Sequence, residues 1–334
     1  MDYGQLTRSV WEISEDDFPA DGPLAQQARF LLRYAILAPS SHNSQPWAFE
    51  VDGGRIEIHA EESRWLRQAD ANRRELFLSV GCALENLVVA AQHFGLRPSM
   101  DFVSTESGPS VLVDLSGDAS RIDKRPKGLF WAITERRTSH SHFYDRTPDA
   151  DFFDDLRGLV YDSEVQLHLV TSDSTKKTLA SMQNEADQQK MQDEDYRREL
   201  SEWIGSGALG DSWPKARISQ FVVKHFDIGK SEGANNAEYI EKAPAVALIT
   251  TSDDTTRNRI QAGQVYERIA LAAERADVAT HPLSQMLEID EYRDALAETV
   301  GVDGQCPQHF FRLGFARASR NHTPRWPLEQ FLGA

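Results

Sequence analysis

The chain has 334 residues, enough for one large domain or two small ones with a real core. Its 52 acidic and 36 basic residues leave a net charge of −16, which argues against duplex nucleic acid or anionic membrane as main partner and leaves room for a local basic pocket. Hydrophobic residues at 40% and charged residues at 26% are ordinary for a globular chain in water, and the two cysteines, Cys82 and Cys306, suggest neither a disulfide framework nor a metal site. Met1 to Gly22 carries acids and no apolar signal-type core. No apolar run reads as long enough to span a bilayer, so a cytoplasmic protein is expected.

In chain order, Leu24, Ala28, Leu31, Leu32, Ala35 and Ile36 recur at helical spacing, and Pro39 stops that helix. Ser40-Ser41-His42-Asn43-Ser44-Gln45 follows, then Pro46, which biases Gln45 towards extended backbone, and then the alternating strand residues Trp47, Phe49 and Val51. Two readings of the loop stay open. It is a Ser- and Asn-rich turn, or a set of polar groups held against a planar ring edge, with Trp47 as anchor. Asp52-Gly53-Gly54 turns the strand into Ile56, Ile58 and Ala60. Phe77, Val80, Leu84, Leu87, Val88, Ala91 and Phe94 predict a long helix that places Cys82 in the core, and Gly95 ends it. Val111, Leu112, Val113 and Leu115 predict a buried strand, Pro244–Thr250 another, and Cys306 falls in a loop.

The two halves echo each other. Gly81-x-x-Leu84-Glu85-x-Leu87-x-x-Ala90-Ala91 matches Gly263-x-x-Tyr266-Glu267-x-Ile269-x-x-Ala272-Ala273 in register. Two helices apolar around much of their circumference need partners on several sides, which suggests that they pack on each other in a fused pseudo-dimer. The expected division is 1–122 and 123–334. The second half carries an extra charged, Gly-rich segment at about 185–235, readable as a solvated helix and loop or as a lid; Trp203, Trp213 and Phe221 need burial and favour the lid.

Arg136-Arg137-Thr138-Ser139-His140 offers forked donors beside hydroxyls, which suits phosphate, although a solvated helix end has the same composition. Thr323-Pro324-Arg325-Trp326-Pro327-Leu328 holds an arginine between prolines. His140 and His142 have no convincing metal-ligand partners, so no metal is expected. A Walker loop, a dinucleotide fingerprint and a Gly-x-Ser-x-Gly elbow are all absent from the sequence.

With those residues in place, the chain resembles the FMN-dependent nitroreductase superfamily. Ala38-Pro39-Ser40-Ser41-His42-Asn43-Ser44-Gln45-Pro46-Trp47 is similar to its Pro-Ser-x-x-Asn-x-Gln-Pro-Trp signature, and Arg136–His140 to its Arg-x-Ser-x-Arg/Lys flavin motif. Thr323–Leu328 is similar to its C-terminal phosphate segment, and Gln308-His309-Phe310-Phe311-Arg312-Leu313-Gly314-Phe315 to its late strand. Duplication with one site lost, and an inserted lid, resembles the Acg-like branch. The resemblance implies an α+β nitroreductase-like fold of two fused halves with mixed or antiparallel sheets flanked by helices. It also implies one composite FMN site per chain, the first half keeping the loop and the second the arginines. The first half's own start, Arg8-Ser9-Val10-Trp11, lacks the full cationic set. Arg136, Arg137, Thr138 and His140 would meet the phosphate, ribityl chain or pyrimidine edge, and Arg325 the phosphate. Pro39, Ser40, Ser41 and Asn43 would approach the ring, Leu283 and Ser284 the flavin N5, and Asn236 the pyrimidine edge. His140 replaces the usual Arg or Lys, and Leu283-Ser284-Gln285 lacks an acid-Gly pair common there.

The implied activity is NAD(P)H-dependent reduction of nitro- or quinone-type acceptors, with flavin-centred chemistry and no dedicated catalytic side chain. The alternative is FMN storage beneath the lid, and a third reading is a flavin enzyme whose lid encloses a small substrate against Trp203 or Trp213. A monomer, with a small-molecule acceptor or none, is expected.

Overall fold

The computed structural model describes residues 5–105, 108–116, 125–210, 213–225, 229–317 and 322–333. The expected division at 122/123 lies outside them. In the first half the chain forms α1 (Leu24–Ala35), β1 (Trp47–Asp52), β2 (Arg55–Ala60), α2 (Arg74–His93), β3 (Ser99–Thr105) and β4 (Gly108–Asp114). The second half opens with α3 (Leu129–Ile133), α4 (Ala150–Gly158), β5 (Val165–Val170), α5 (Asp173–Gln192), α6 (Glu194–Gly205) and α7 (Trp213–His225). It continues with α8 (Gly229–Glu241), β6 (Ala245–Thr251), α9 (Thr256–Arg275), β7 (Ala279–Pro282), α10 (Asp290–Val300) and β8 (Cys306–Gly314). Cys306, expected in a loop, opens β8.

Each half builds one four-stranded sheet, ordered β1-β2-β4-β3 in the first and β5-β6-β8-β7 in the second. Every paired strand in both is antiparallel, so the mixed alternative falls away. The two orders are the same topology written twice: a pair of strands, a long helix, then two strands of which the last sits inside. This is the α+β fold expected, and the repeat is in the connectivity as well as in the helix motif.

The difference between the halves is located by that match. β1 and β2 are joined by a tight turn with Gly53 at φ 57, whereas β5 and β6 are joined by α5, α6, α7 and α8. The extra segment is therefore wider than the expected 185–235, whose start falls inside α5. α5 packs along α8, and α6 along α7, so the insertion is two helical pairs rather than a loop.

α2 and α9 cross at the centre, and the shared glycines explain how. A Cβ on Gly81 would lie 2.0 Å from the Ile260 carbonyl oxygen, and one on Gly263 would lie 2.0 Å from that of Leu78. Only glycine permits this backbone approach. α2 is long and apolar enough to cross a membrane, contrary to the sequence expectation, but its apolar window is 89% buried inside the fold. One hydrophobic core runs through both halves, and a smaller one gathers α5, α8, β6 and α10. The C-terminal tail crosses to the first half: Phe49 N donates to Phe331 O at 2.7 Å and Gly333 N to Phe49 O at 3.0 Å, covering the edge of β1.

Candidate composite site at the seam

The Pro39–Trp47 loop is strained and held by many bonds. His42, Asn43 and Gln45 all have positive φ (49, 54 and 50), so Gln45 is left-handed rather than extended as its proline neighbour suggests. Such backbone persists only where the surroundings over-determine it. Gln45 N donates to Ser40 Oγ at 2.9 Å, Gln45 Nε2 to Asn43 O at 3.1 Å, and Trp326 N to Gln45 Oε1 at 3.1 Å. Arg64 Nη1 adds a bond to Gln45 O at 3.1 Å. Ser40 thus uses its hydroxyl to shape the loop, Ser41 opens the 3₁₀ turn Ser41–Asn43, and Pro39 lies four residues beyond the end of α1 at Ala35.

Arg325 and Arg136 meet this loop from behind. Arg325 Nη2 donates to Leu37 O at 3.3 Å and Ala38 O at 3.1 Å, and Arg136 Nη2 donates to Leu37 O at 3.3 Å. Arg136 Nε lies 3.3 Å from Glu267 Oε1. Burial of Glu267, opposed by Arg136, leaves its carboxyl raised to about 7, and burial together with Arg136 lowers Arg325 to about 9. Two guanidiniums therefore face a single, weakly ionised carboxylate. The N-terminal stretch joins them: Thr7 and Arg325 exchange backbone bonds at 2.8 and 2.9 Å, and the Arg325 guanidinium lies 5.1 Å from the Trp11 ring centre. Arg8–Trp11, expected as the relic of the lost site, thus helps to build this one. Arg137 does not join: it turns back on Glu135, 2.9 Å from its carbonyl oxygen.

The rest of the arginine motif runs beside β7. Thr138 bridges Thr280, Ser139 N donates to Thr280 O at 3.0 Å, and the His140 ring packs 4.5 Å from His281. Desolvation and then the neighbouring Arg312 lower the His140 pKa, although its side chain reaches solvent. Leu283 is buried, its N–H bonded to Phe310 O at 2.9 Å, and Ser284 accepts from Leu287 N. Asn236 Nδ2 donates to Asp187 Oδ2 at 2.9 Å, and Gln183 ties Asp187 to Gln285 at 3.0 and 2.8 Å.

The insertion lies over the loop. Asn43 Nδ2 donates to Ala208 O at 2.7 Å and Pro324 O at 2.8 Å, while Arg8 Nη2 donates to Gly210 O at 2.9 Å. The donors of Asn43, expected at a ring edge, are thus engaged by protein. Farther along, Glu199 accepts from Gln68 N and Ala69 N, and Lys190 Nζ pairs with Glu288 at 3.1 Å. Trp203 is buried, but Phe221 is 59% exposed and does not need the burial expected of it; the Trp213 side chain lies outside the described residues.

The pseudo-symmetric counterpart is closed. Glu85, the partner of Glu267 in the repeat, is held by Arg125 at 2.7 Å and 3.0 Å and by Arg268 at 2.8 Å and 3.1 Å. Burial raises its pKa, but the two guanidiniums outweigh it and hold the carboxyl at about 2. Arg268 also reaches Leu159 O at 2.8 Å, as Arg136 reaches Leu37 O.

The open place is different. Arg325 Nε, Asn43 Oδ1 and Asn86 Oδ1 are buried without a hydrogen-bond partner, the Glu267 carboxylate has only the long Arg136 contact, and His309 Nδ1 lies 3.9 Å from Glu75 Oε1. Buried groups of this kind carry a desolvation cost of about 1–3 kcal/mol each unless a ligand or water satisfies them. They come from both halves: Arg325 Nε offers a donor to an anion, while the Asn43, Asn86 and Glu267 oxygens offer acceptors to N–H groups, a mixed set that suits a ligand bearing both an anionic group and a polar ring. Beside the seam, a surface cleft of about 690 Å³ is lined by Arg8, Trp11, Thr134, Glu135 and His322, among others. Glu267 and Arg312 join the site only in the fold; the sequence signal for them is weak, a Glu267-Arg268 pair inside an apolar helix and a charge within Phe310-Phe311-Arg312-Leu313. Among the described residues no group of three or more His, Cys, Asp or Glu could hold a metal.

No protein-family model matches the chain. It is 27% identical to "Putative NAD(P)H nitroreductase Rv3131" of Mycobacterium tuberculosis H37Rv, over 92% of this chain and 90% of that one. It is 24% identical to "Putative NAD(P)H nitroreductase acg" of the same organism, over 90% of this chain and 93% of that one. Among solved structures it is similar to the FMN and NADPH-dependent nitroreductase NfnB from Sphigopyxis sp. strain HMH, with 16% identity, 62% of this chain and 98% of that chain covered, and a TM-score of 0.43.

Proposed function

We propose that the chain, similar over nine-tenths of its length to putative NAD(P)H nitroreductases, is a nitroreductase of the Acg-like branch that binds one FMN at the seam and uses NAD(P)H to reduce nitro- or quinone-type acceptors. The observation that carries this reading is the contrast between the two pseudo-equivalent places. At Glu85 the protein's own charges are fully paired, whereas at Glu267 two arginines and several buried polar atoms from both halves have unmet capacity. A phosphate supplies the missing anion, because guanidinium forks match its oxygens.

When bound, FMN supplies the electron-transfer chemistry. Arg325 and Arg136 would hold its phosphate, and Thr138 and His140, which follow Arg136 in the chain beside β7, would meet the rest of the group. The Pro39–Asn43 loop and the Leu283–Ser284 segment, one from each half, would approach the ring and limit its contact with water. Donors fixed in place before reaction stabilise developing charge without reorganising.

Arg325→Ala combined with Arg136→Ala should leave a folded chain whose FMN affinity falls by at least a hundredfold, measured by quenching of free-flavin fluorescence. Stoichiometric FMN retained by the double variant would refute the phosphate assignment. A second reading, storage of FMN, is favoured by the Asn43–Ala208 and Arg8–Gly210 bonds, which hold the insertion over the loop. Anaerobic mixing of the FMN-loaded protein with NADPH and NADH separates the two. Bleaching at a catalytic rate supports the reductase, and bleaching by dithionite alone supports storage.

A further inference from the structure

Arg312, on β8, is a buried cation with no acidic partner in contact. Its residue is 1% exposed, and no carboxylate is bonded to its guanidinium among the described residues. Nε donates to His281 Nδ1 at 2.9 Å, and Nη2 donates to Ser141 O at 2.8 Å and Ser139 O at 3.4 Å. The guanidinium is sandwiched between two rings, 4.0 Å from the centre of Phe143 and 4.1 Å from that of Tyr239. Burying a charge in this way is costly unless something opposite compensates it. Aromatic faces and carbonyl dipoles offset part of that cost, but neither carries a full negative charge. The nearby histidines do not compete for the role. His281 is buried, and its burial, with His140 and Arg312 contributing, holds its pKa well below the usual imidazole value; the exposed His140 is shifted in the same direction, and Arg312 itself stays protonated with a pKa lowered by burial only to about 10.

Position decides what the charge is for. The two carbonyls that Arg312 grips flank His140 in the arginine motif, and the imidazole it touches belongs to β7, two residues before Leu283. Arg312 thus joins the two second-half segments assigned to the flavin. We propose that Arg312 supplies the fixed positive charge that offsets the negative charge of reduced FMN. This rests on the FMN-binding reading. Uptake of one hydride equivalent, two electrons and a proton, from NAD(P)H leaves the flavin one unit more negative. A neighbouring cation therefore stabilises the reduced form over the oxidised one.

The test is the two-electron midpoint potential of bound FMN, measured by dithionite titration against a reference dye. Wild type is compared with Arg312→Gln, which keeps a donor towards the carbonyls, and with Arg312→Lys, which keeps the charge. The glutamine variant should bind oxidised FMN within about threefold of wild type but hold reduced FMN at least tenfold more weakly, a shift of about 30 mV to more negative potential. The lysine variant should recover at least half of the shift. If the glutamine variant fails to fold, Arg312→Met, shaped to lie between the two rings, takes its place with the same expectation. A potential unchanged in the charge-removing variant overturns the proposal and leaves FMN binding standing. Failure of wild type to bind FMN overturns the functional reading, and this one with it.

Discussion

Glu267 shows how burial rather than residue type sets the chemistry of the seam. Its sequence twin Glu85 sits at the same point of the repeat, yet one carboxyl is raised to about 7 and the other lowered to about 2. Burial disfavours both anions; the difference is that Glu85 has two forked guanidiniums and Glu267 a single Arg136 contact at 3.3 Å. The sign of the consequence follows. A carboxyl with a raised folded-state pKa holds its proton more tightly when folded, so stability falls as pH rises from its unfolded pKa, near 4.5, through about 7. Glu267→Gln removes that loss. In the flavin-free protein the variant should gain on wild type by about 2 kcal/mol between pH 5 and pH 8, read from urea midpoints at the two pH values. A constant difference across that range would show that Glu267 ionises normally.

The elements carry two further expectations. The α2–α9 crossing leaves no space for a methyl group, since each glycine faces a backbone oxygen that cannot swing aside as a side chain could. Gly263→Ala should therefore destabilise the chain by about 3 kcal/mol or more, measured by denaturant unfolding, as overpacking against rigid backbone does. The insertion is the second case. Its tip is held by polar bonds from Arg8 and Asn43, and Gly207 and Gly210 at φ 80 and 87 shape that tip. Arg8→Ala should raise amide exchange across 205–210 at least tenfold while leaving the core of α2 protected, because exchange reports local opening. If the storage reading holds, the same variant should also speed the release of FMN.

Across the whole molecule, a shared core, matching sheet topologies and a C-terminal tail crossing onto β1 support a single chain that carries its own pseudo-dimer. Saturation titration should accordingly find one FMN per chain, with sedimentation giving a monomer near 37.6 kDa. A stoichiometry of two would mean that the Glu85 place opens to take a ligand.

Much of this was legible in the residues themselves. Hydrophobic period and turn chemistry are local, so α1, the β1–β2 hairpin, α2 and the glycines of the repeat could be read directly. The Pro39–Trp47 loop and Arg325 stood out as candidates because prolines and a fixed charge restrict what a short stretch can do. Other features were decided only by tertiary structure: the left-handed Gln45, the diversion of Arg137 and the use of Arg8–Trp11 to build the surviving site. So were the capture of Asn43 by the insertion, the closure at Glu85 and the solitary charge of Arg312. Each depends on groups brought together from distant parts of the chain, where burial and the nearest opposite charge set the energy. No local pattern encodes those neighbours.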